Sequence, residues 1–293
     1  MELKLLHQST ARMLAEAGID EPRREAAAIL VHHLDLSLAA LYSRPEMTVS
    51  SEKTAVILET AKRRAAHEPL AYLLGRASFS GLDFLVGPGV LVPRPDSEIL
   101  VETGLSVCRK FAPERDPLSI LDVCTGSGCL GISLHHQLQQ LGREVRLWLT
   151  DNDPAALAYT RKNLDLHNLA GRAQLEQADL FPAGQNLKWD LILANPPYIA
   201  SRVIAGLMPE VRCHEPLQAL DGGPDGLDYY RRLVDLAPDR LNAGGWLLVE
   251  HGFDQASAVS SLFTDSGRFR LLPAVRDYGG QLRVSGGQLK GEE

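Results

Sequence analysis

Cysteine is scarce in this chain. Cys108, Cys124, Cys129 and Cys213 are the only four in 293 residues, and no two form a C-x-x-C pair. That excludes the common structural zinc patterns, and the nine histidines add no ligand spacing. No metal is expected, and the cysteines read as reduced, packed apolar residues. Positive charge is also short, with 30 Lys and Arg against 37 Asp and Glu and a formal net charge of -7. Charge-driven grip on nucleic acid needs a basic footprint, so no direct nucleic-acid binding is expected. No apolar run approaches the ~20 residues of a bilayer span. The first residues lack the apolar core and cleavage site of a secretory signal. There is no internal repeat and no low-complexity segment. What is left is an ordinary globular composition, 45% hydrophobic, with a length suited to about two domains. The expectation is a cytoplasmic protein, monomeric, with no membrane association.

The chain divides by its patterning. Residues 1–75 read as a small helical bundle. Leu3, Leu6, Met13, Leu14 and Ala17 share a helical face, and Gly18 stops it. Asp20 is the candidate cap of a second helix with Pro22 in its first turn and Ala26, Ala27, Ile29, Leu30 and Leu34 inward. Ser50 or Ser51 caps another through Ala66, with Val56, Ile57 and Leu58 inward. Its basic run Lys62-Arg63-Arg64 reads as a solvated helix end. Residues 76–94 read as a β-hairpin linker turning at Gly87-Pro88-Gly89, with Val90–Val92 as its second strand. Residues 95–293 alternate strand and helix. Strands are expected at Leu118–Val123, Val145–Thr150, Leu175–Ala178, Leu191–Ala194 and Trp246–Glu250. Helices are expected from Cys129, at Pro154–Leu166 and at Leu227–Leu241. This pattern predicts an α/β fold with a doubly wound, mostly parallel sheet. The polar tail, Gly286–Glu293, is expected to fray.

Two strand ends carry chemistry. Asn195-Pro196-Pro197-Tyr198 follows the apolar run Leu191–Ala194. Two prolines remove backbone donors and fix φ. A rigid row of acceptors remains, the Asn195 side-chain oxygen and its neighbouring carbonyls, with Tyr198 as an aromatic face. Such a row suits a flat –CO–NH2 or aryl–NH2 group. Asp122-Val123-Cys124-Thr125-Gly126-Ser127-Gly128-Cys129-Leu130-Gly131 lies between the first strand of the sheet and its helix. Gly126, Gly128 and Gly131 fit G-x-G-x-x-G, and Asp151 ends the next strand, which is also the dinucleotide fingerprint. Asp122 just before the loop disfavours a pyrophosphate; its carboxylate could meet a cationic ligand or order the loop. S-adenosylmethionine, a sulfonium without phosphate, fits better. Asp151 would accept from its ribose hydroxyls, or would cap the next helix through Asp153-Pro154. Asp179 is placed to meet an adenine amino group, or is a turn residue.

Taken with Glu68–Gly75, Leu91–Glu98, Glu215–Gly223 and Asp277-Tyr278-Gly279-Gly280, these motifs make the chain similar, nearly end to end, to the bacterial release-factor glutamine N(5)-methyltransferases of the PrmC/HemK type. The resemblance implies a helical N-terminal substrate-recognition domain, a β-hairpin linker and a class I methyltransferase domain with a Rossmann-like seven-stranded sheet. It implies methyl transfer from S-adenosyl-L-methionine to the side-chain amide of the glutamine in the Gly-Gly-Gln motif of class I peptide chain release factors. Cofactor contacts would fall on Cys124, Thr125, Gly126, Ser127, Gly128, Asp151, Leu180 and Asn195. Substrate contacts would fall on Asn195, Pro196, Pro197 and Tyr198. The chain departs from the family at Cys124, usually glycine, at Leu180, aromatic in some members, and at Leu282, usually an acid. It also holds its own Gly286-Gly287-Gln288, read as a chance tripeptide.

An amide nitrogen is a weak nucleophile because its lone pair is delocalised. Catalysis is therefore expected to be positional, with Asn195, Pro196 and Tyr198 as the catalytic set. Alternatives are an adenine N(6)-methyltransferase on nucleic acid, a glutamine methyltransferase of a ribosomal protein, and an NAD-dependent oxidoreductase built on Gly126, Gly128 and Gly131.

Overall fold

The computed structural model describes residues 1–110, 115–184 and 187–291. The chain forms two compact units, Met1–Arg76 with Met208–His214, and Ala77–Leu207 with Glu215–Glu293.

The first unit contains α1 (Leu3–Glu16), α2 (Pro22–Leu34), α3 (Leu38–Ser43), α4 (Ser51–Ala65) and α5 (Leu70–Leu74). Leu3, Leu6, Leu14, Ile29, Leu30 and Ile57 are fully buried in its core. Each such side chain stabilises the fold by roughly 1.5–3 kcal/mol, an upper bound. Ser50 caps α4 by accepting from the backbone N–H of Lys53. Three expectations fail here. Glu21, not Asp20, precedes α2, with φ of 50°. Val56 faces solvent, because only every third or fourth position of α4 turns inward. Arg64 is not solvated: its side chain is 6% exposed and pairs with Glu25 at 2.6 Å and with Glu210 at 2.8 Å. A guanidinium can be buried when two carboxylates meet its fork.

A two-stranded hairpin follows, β1 (Arg76–Phe79) and β2 (Leu82–Leu85). Its turn is Ser80-Gly81, both at positive φ, and not Gly87-Pro88-Gly89. Two positive-φ residues match the right-handed twist of paired strands, which a proline turn would not. Val90–Val92 is consequently not a strand.

After a 3₁₀ turn (Pro95–Ser97) come α6 (Glu98–Cys108), β3 (Leu118–Val123), α7 (Cys129–Gln140), β4 (Val145–Asp151), α8 (Pro154–Leu166), β5 (Ala173–Gln177) and β6 (Trp189–Ala194). Then follow α9 (Ser201–Ile204), α10 (Pro209–His214), α11 (Asp228–Leu236), β7 (Leu241–Glu250), α12 (Ala256–Asp265), β8 (Phe269–Arg276) and β9 (Leu282–Leu289). The seven-stranded sheet has the order β5-β4-β3-β6-β7-β9-β8. It is parallel from β5 to β7, while β9 runs antiparallel to both β7 and β8. Buried side chains cover both faces in two clusters, as parallel strands require. Leu227–Leu241 is not one helix: α11 ends at Leu236 and a 3₁₀ turn, Ala237–Arg240, follows, with Pro238 in it.

The tail does not fray over Gly286–Leu289, which belong to β9 between β7 and β8. The two glycines are there for space. A Cβ on Gly286 would lie 2.4 Å from the Leu247 carbonyl, and one on Gly287 would lie 2.8 Å from the Phe269 Cβ. Gln288 Nε2 donates to the Gly244 carbonyl at 3.0 Å. This tripeptide is a structural strand. Among the described residues no helix is long and apolar enough to cross a membrane.

Candidate active site

The strand order reverses at β3. The chain winds outward through β4 and β5, then returns to place β6 on the other side of β3. Crevices at such switch points bind ligands beyond the carboxyl ends of the strands. Val123 of β3 is paired with Ala194 of β6. The next residue on each strand is Cys124 on one side and Asn195 on the other, so register alone makes the glycine loop and Asn195 neighbours.

Asp122 holds the loop from below. It is fully buried, and its Oδ2 accepts from Thr125 Oγ1 at 2.6 Å and from the Gly131 N–H at 2.9 Å. It orders the loop and the start of α7 and does not line the cleft. Burial pushes its carboxyl up to about 7, against the pull of those two donors. Gly131 allows the close approach, since a Cβ there would sit 3.0 Å from Asp122 Oδ2. From above, α8 ties the loop: Thr160 Oγ1 donates to the Gly126 carbonyl at 2.7 Å and Asn163 Nδ2 to the Ser127 carbonyl at 2.8 Å. Cys124 sits at φ of 55°, a left-handed conformation that strains a non-glycine residue.

Asp151 closes the other side. Its Oδ2 accepts from the Gly126 N–H at 2.9 Å and its Oδ1 from the Asp153 N–H at 3.0 Å. Asp153 Oδ1 accepts from the Ala155 N–H and caps α8, so capping belongs to Asp153. Burial raises the Asp151 pKa. Each Asp151 oxygen can accept a further hydrogen bond, and Asp151 lines the cleft.

The cleft encloses about 760 Å³, part of it open to solvent. Cys124, Thr125, Gly126, Ser127, Asp151, Asn195 and Pro197 line it; Gly128, Asp179, Leu180, Pro196 and Tyr198 do not. Gly128 sits behind the wall at φ of 84°. Leu180 is buried in the sheet core, and its carbonyl accepts from Thr150 Oγ1 at 2.7 Å. Asp179 is exposed and paired with Arg232 at 2.8 Å, and the Arg232 guanidinium lies 6.0 Å from the Tyr229 ring. Tyr229 itself lines the cleft, as do Val90, Leu91, Val92 and Pro93. Neither group is apparent from sequence. The Val90–Pro93 run has the pattern of a strand, and Tyr229 is one aromatic in a helix face with no local mark.

Among the described residues, Arg94 is the only cation in the cleft wall. It is committed to Glu215, with both carboxylate oxygens at 2.7 Å. That ion pair, one guanidinium nitrogen shared by both oxygens, joins the segments Pro93–Glu98 and Glu215–Gly223. A largely apolar wall with an aromatic, the carboxylates of Asp151 and Asp153 and no free cation fits a nucleoside bearing a sulfonium. It does not fit a pyrophosphate.

Asn195 is half-buried, and its Nδ2 donates to Ser97 Oγ at 3.3 Å. Tyr198 Oη lies 3.5 Å from Glu250 Oε1, and burial raises its pKa. The motif is braced by the strand bridge Ile199 to Asp221 and by Gln255 Nε2, which donates to the Tyr198 carbonyl at 2.9 Å. Gly222 makes room, since a Cβ there would be 2.7 Å from the Pro197 carbonyl.

Two family models match. Residues 5–75 match the PrmC N-terminal domain and residues 103–209 the methyltransferase small domain. A release factor glutamine methyltransferase of Geobacter sulfurreducens is 39% identical over 280 residues, 96% of this chain and 94% of that protein. Another, from Moorella thermoacetica, is 39% identical over 283 residues, 97% of each. Among solved structures, a methyltransferase from Pyrococcus furiosus superimposes with a TM-score of 0.51 at 19% identity, covering 83% of this chain and all of that one. At that identity the likeness concerns the fold.

Proposed function

The chain belongs to the release factor glutamine methyltransferase family, and from that premise we propose that it methylates the glutamine side-chain amide in the Gly-Gly-Gln motif of class I peptide chain release factors. The observation that carries this is the register pairing of β3 with β6, which sets the glycine-loop cleft beside Asn195. S-adenosyl-L-methionine, the cofactor, supplies an electrophilic methyl group on sulfur. The backbone of Cys124–Gly128 and the Asp151 carboxylate would hold it, with the Tyr229 ring supplying the flat face that Leu180 does not. Asp179 would reach the adenine amino group by sharing itself with Arg232. Asn195 Oδ1 and the Pro196 carbonyl accept the two N–H bonds of the substrate amide. Pro197, which lines the cleft, would form the wall against its plane, and Tyr198, outside that lining, would support it. Orientation of this kind can supply up to ~7–11 kcal/mol of barrier lowering. Acceptor oxygens also stabilise positive charge as it develops on nitrogen. The enzyme acts in the cytoplasm as a monomer, its helical residues 1–75 gripping the release factor away from the modified loop, with residues 76–94 as the linker to the methyltransferase domain at 95–293.

Transfer of a labelled methyl group tests this reading. A release factor should be labelled. Duplex DNA and ribosomal protein should stay unlabelled, and NAD should show no binding by calorimetry. Label on DNA would favour an adenine methyltransferase instead.

A further inference from the structure

Every fourth residue on one face of α8 meets every second residue of the chain running through and out of β2. His167, just past α8, donates from Nε2 to the Asp83 carbonyl at 2.9 Å. Asn163 takes both backbone groups of Leu85: its Oδ1 accepts from the N–H at 2.7 Å and its Nδ2 donates to the carbonyl at 3.0 Å. Gly87 lies against Tyr159, where a Cβ would come 2.1 Å from the phenol oxygen. Gly89 lies against Ala155, where a Cβ would come 3.1 Å from its methyl carbon. Four helical residues rise ~6 Å. Two strand residues span ~6.6 Å. The two periods match, so β2 and its continuation keep step with the helix. The chain then turns, with Val90 N–H donating to the Gly87 carbonyl at 3.3 Å, and Val90–Pro93 enter the cleft wall.

Asn163 does more than hold this seam. It is fully buried, and its Nδ2 also donates to the Ser127 carbonyl of the glycine loop at 2.8 Å. One carboxamide thus joins the strand that feeds one cleft wall, Val90–Pro93, to the loop that forms another, Cys124–Ser127. The two walls come close, since a Cβ on Gly126 would lie 3.9 Å from Val90 Cγ2. We propose that Asn163 is a positioning residue for the cofactor, clamping β2 to the glycine loop so that the two walls keep a fixed spacing before S-adenosylmethionine enters, a role that rests on the cofactor reading of this cleft.

Two consequences separate a clamp from a residue that only stabilises the fold. Without it, the cofactor must order the loop and the wall as it binds, and the ordering entropy is lost from its affinity. Coupling is also reciprocal. A cofactor that holds the loop must steady β2, although Leu85 does not line the cleft. His167 supplies the contrast, because it fastens Asp83 at the end of the seam and touches no group of the loop.

The test uses the whole enzyme with S-adenosylmethionine. Calorimetry on Asn163→Ala, at a temperature where circular dichroism shows it folded, should give a cofactor Kd raised by about tenfold or more. Turnover of an intact release factor at saturating cofactor should fall by no more than about threefold. His167→Ala should keep the cofactor Kd within about twofold of wild type. A second readout needs no variant. Hydrogen exchange of wild type should slow over residues 82–86 when cofactor is added, while α12 stays unchanged, and Asn163→Ala should lose that protection. A folded Asn163→Ala with the wild-type Kd would overturn the clamp. So would an equal loss of affinity in His167→Ala, or exchange over residues 82–86 that ignores the cofactor. If Asn163→Ala does not fold, the wild-type exchange decides alone. A wild type that binds no cofactor would overturn the clamp together with the cofactor reading. One that binds cofactor and leaves release factors unmodified would remove the proposed substrate, and the Kd and exchange data would still decide the clamp.

Discussion

Two buried carboxylates stand at strand ends of one sheet and do different jobs. Asp122 near the end of β3 and Glu250 at the end of β7 are both almost fully desolvated, and burial pushes both up to about 7. Asp122 binds the Gly131 backbone and a hydroxyl of its own loop. Glu250 faces a side chain, the Tyr198 phenol at 3.5 Å, from a distant part of the chain. Fastening backbone gives a fixed cradle and couples the residue to stability. Fastening side chains leaves the frame intact and decides only how functional groups point. Removing the first should cost the cradle, and loosening the second should cost the chemistry.

The comparison breaks most readily at Asn195, whose motif Glu250 meets at Tyr198. Asn195→Ala should reduce turnover by about 10²–10³-fold, as loss of a transition-state contact does. Cofactor affinity, measured by calorimetry, should change little. Asp122→Ala should do the reverse. It orphans the Gly131 N–H and the Thr125 hydroxyl and should cost roughly 2–4 kcal/mol in denaturant unfolding, with cofactor affinity falling in step. Asp151→Ala should weaken cofactor binding by about tenfold with kcat at saturation nearly kept, since a charge-assisted hydrogen bond is worth ~1.5–3 kcal/mol. Asp179→Ala should weaken it by no more than about threefold, because Asp179 is exposed and held by Arg232. A pH readout sharpens the pair further. The folded-state pKa of Asp122 lies above the ordinary carboxylate value, so its protonation contributes stability that is full in acid and lost as pH rises through about 7. Wild type should lose stability relative to Asp122→Asn between about pH 4 and about pH 8, seen in unfolding curves at each pH.

The legibility of each part follows from how local its cause is. Pro154–Leu166 could be read to the residue because Asp153-Pro154 is a local start signal. Leu118–Val123 and the glycine loop were legible because a buried parallel strand is an apolar run and its turn needs glycine. Asn195 was legible by type, beside two prolines. Ser97 and Glu250 were not. Ser97 lies 98 positions before Asn195 and Glu250 a whole strand beyond it, with nothing between to mark them; only the packing of α6 and β7 around β6 brings them in. Gly286-Gly287 misled for a related reason. Glycine suggests a loose tail, whereas here it admits the backbone of β7 and the ring of Phe263. The hairpin turn was misplaced because Gly87-Pro88-Gly89 carries more turn residues than Ser80-Gly81, yet only the latter pair supplies two positive φ values in sequence.

The central claim is that register places a methyl donor beside an acceptor row built for a protein glutamine amide. Fragment mass spectrometry of an intact release factor, after incubation with this enzyme and S-adenosylmethionine, tests it most directly. The account predicts one added methyl group on the glutamine side chain of the Gly-Gly-Gln peptide, absent with Asn195→Ala. An unmodified peptide, or a methyl group on any other residue, would contradict it.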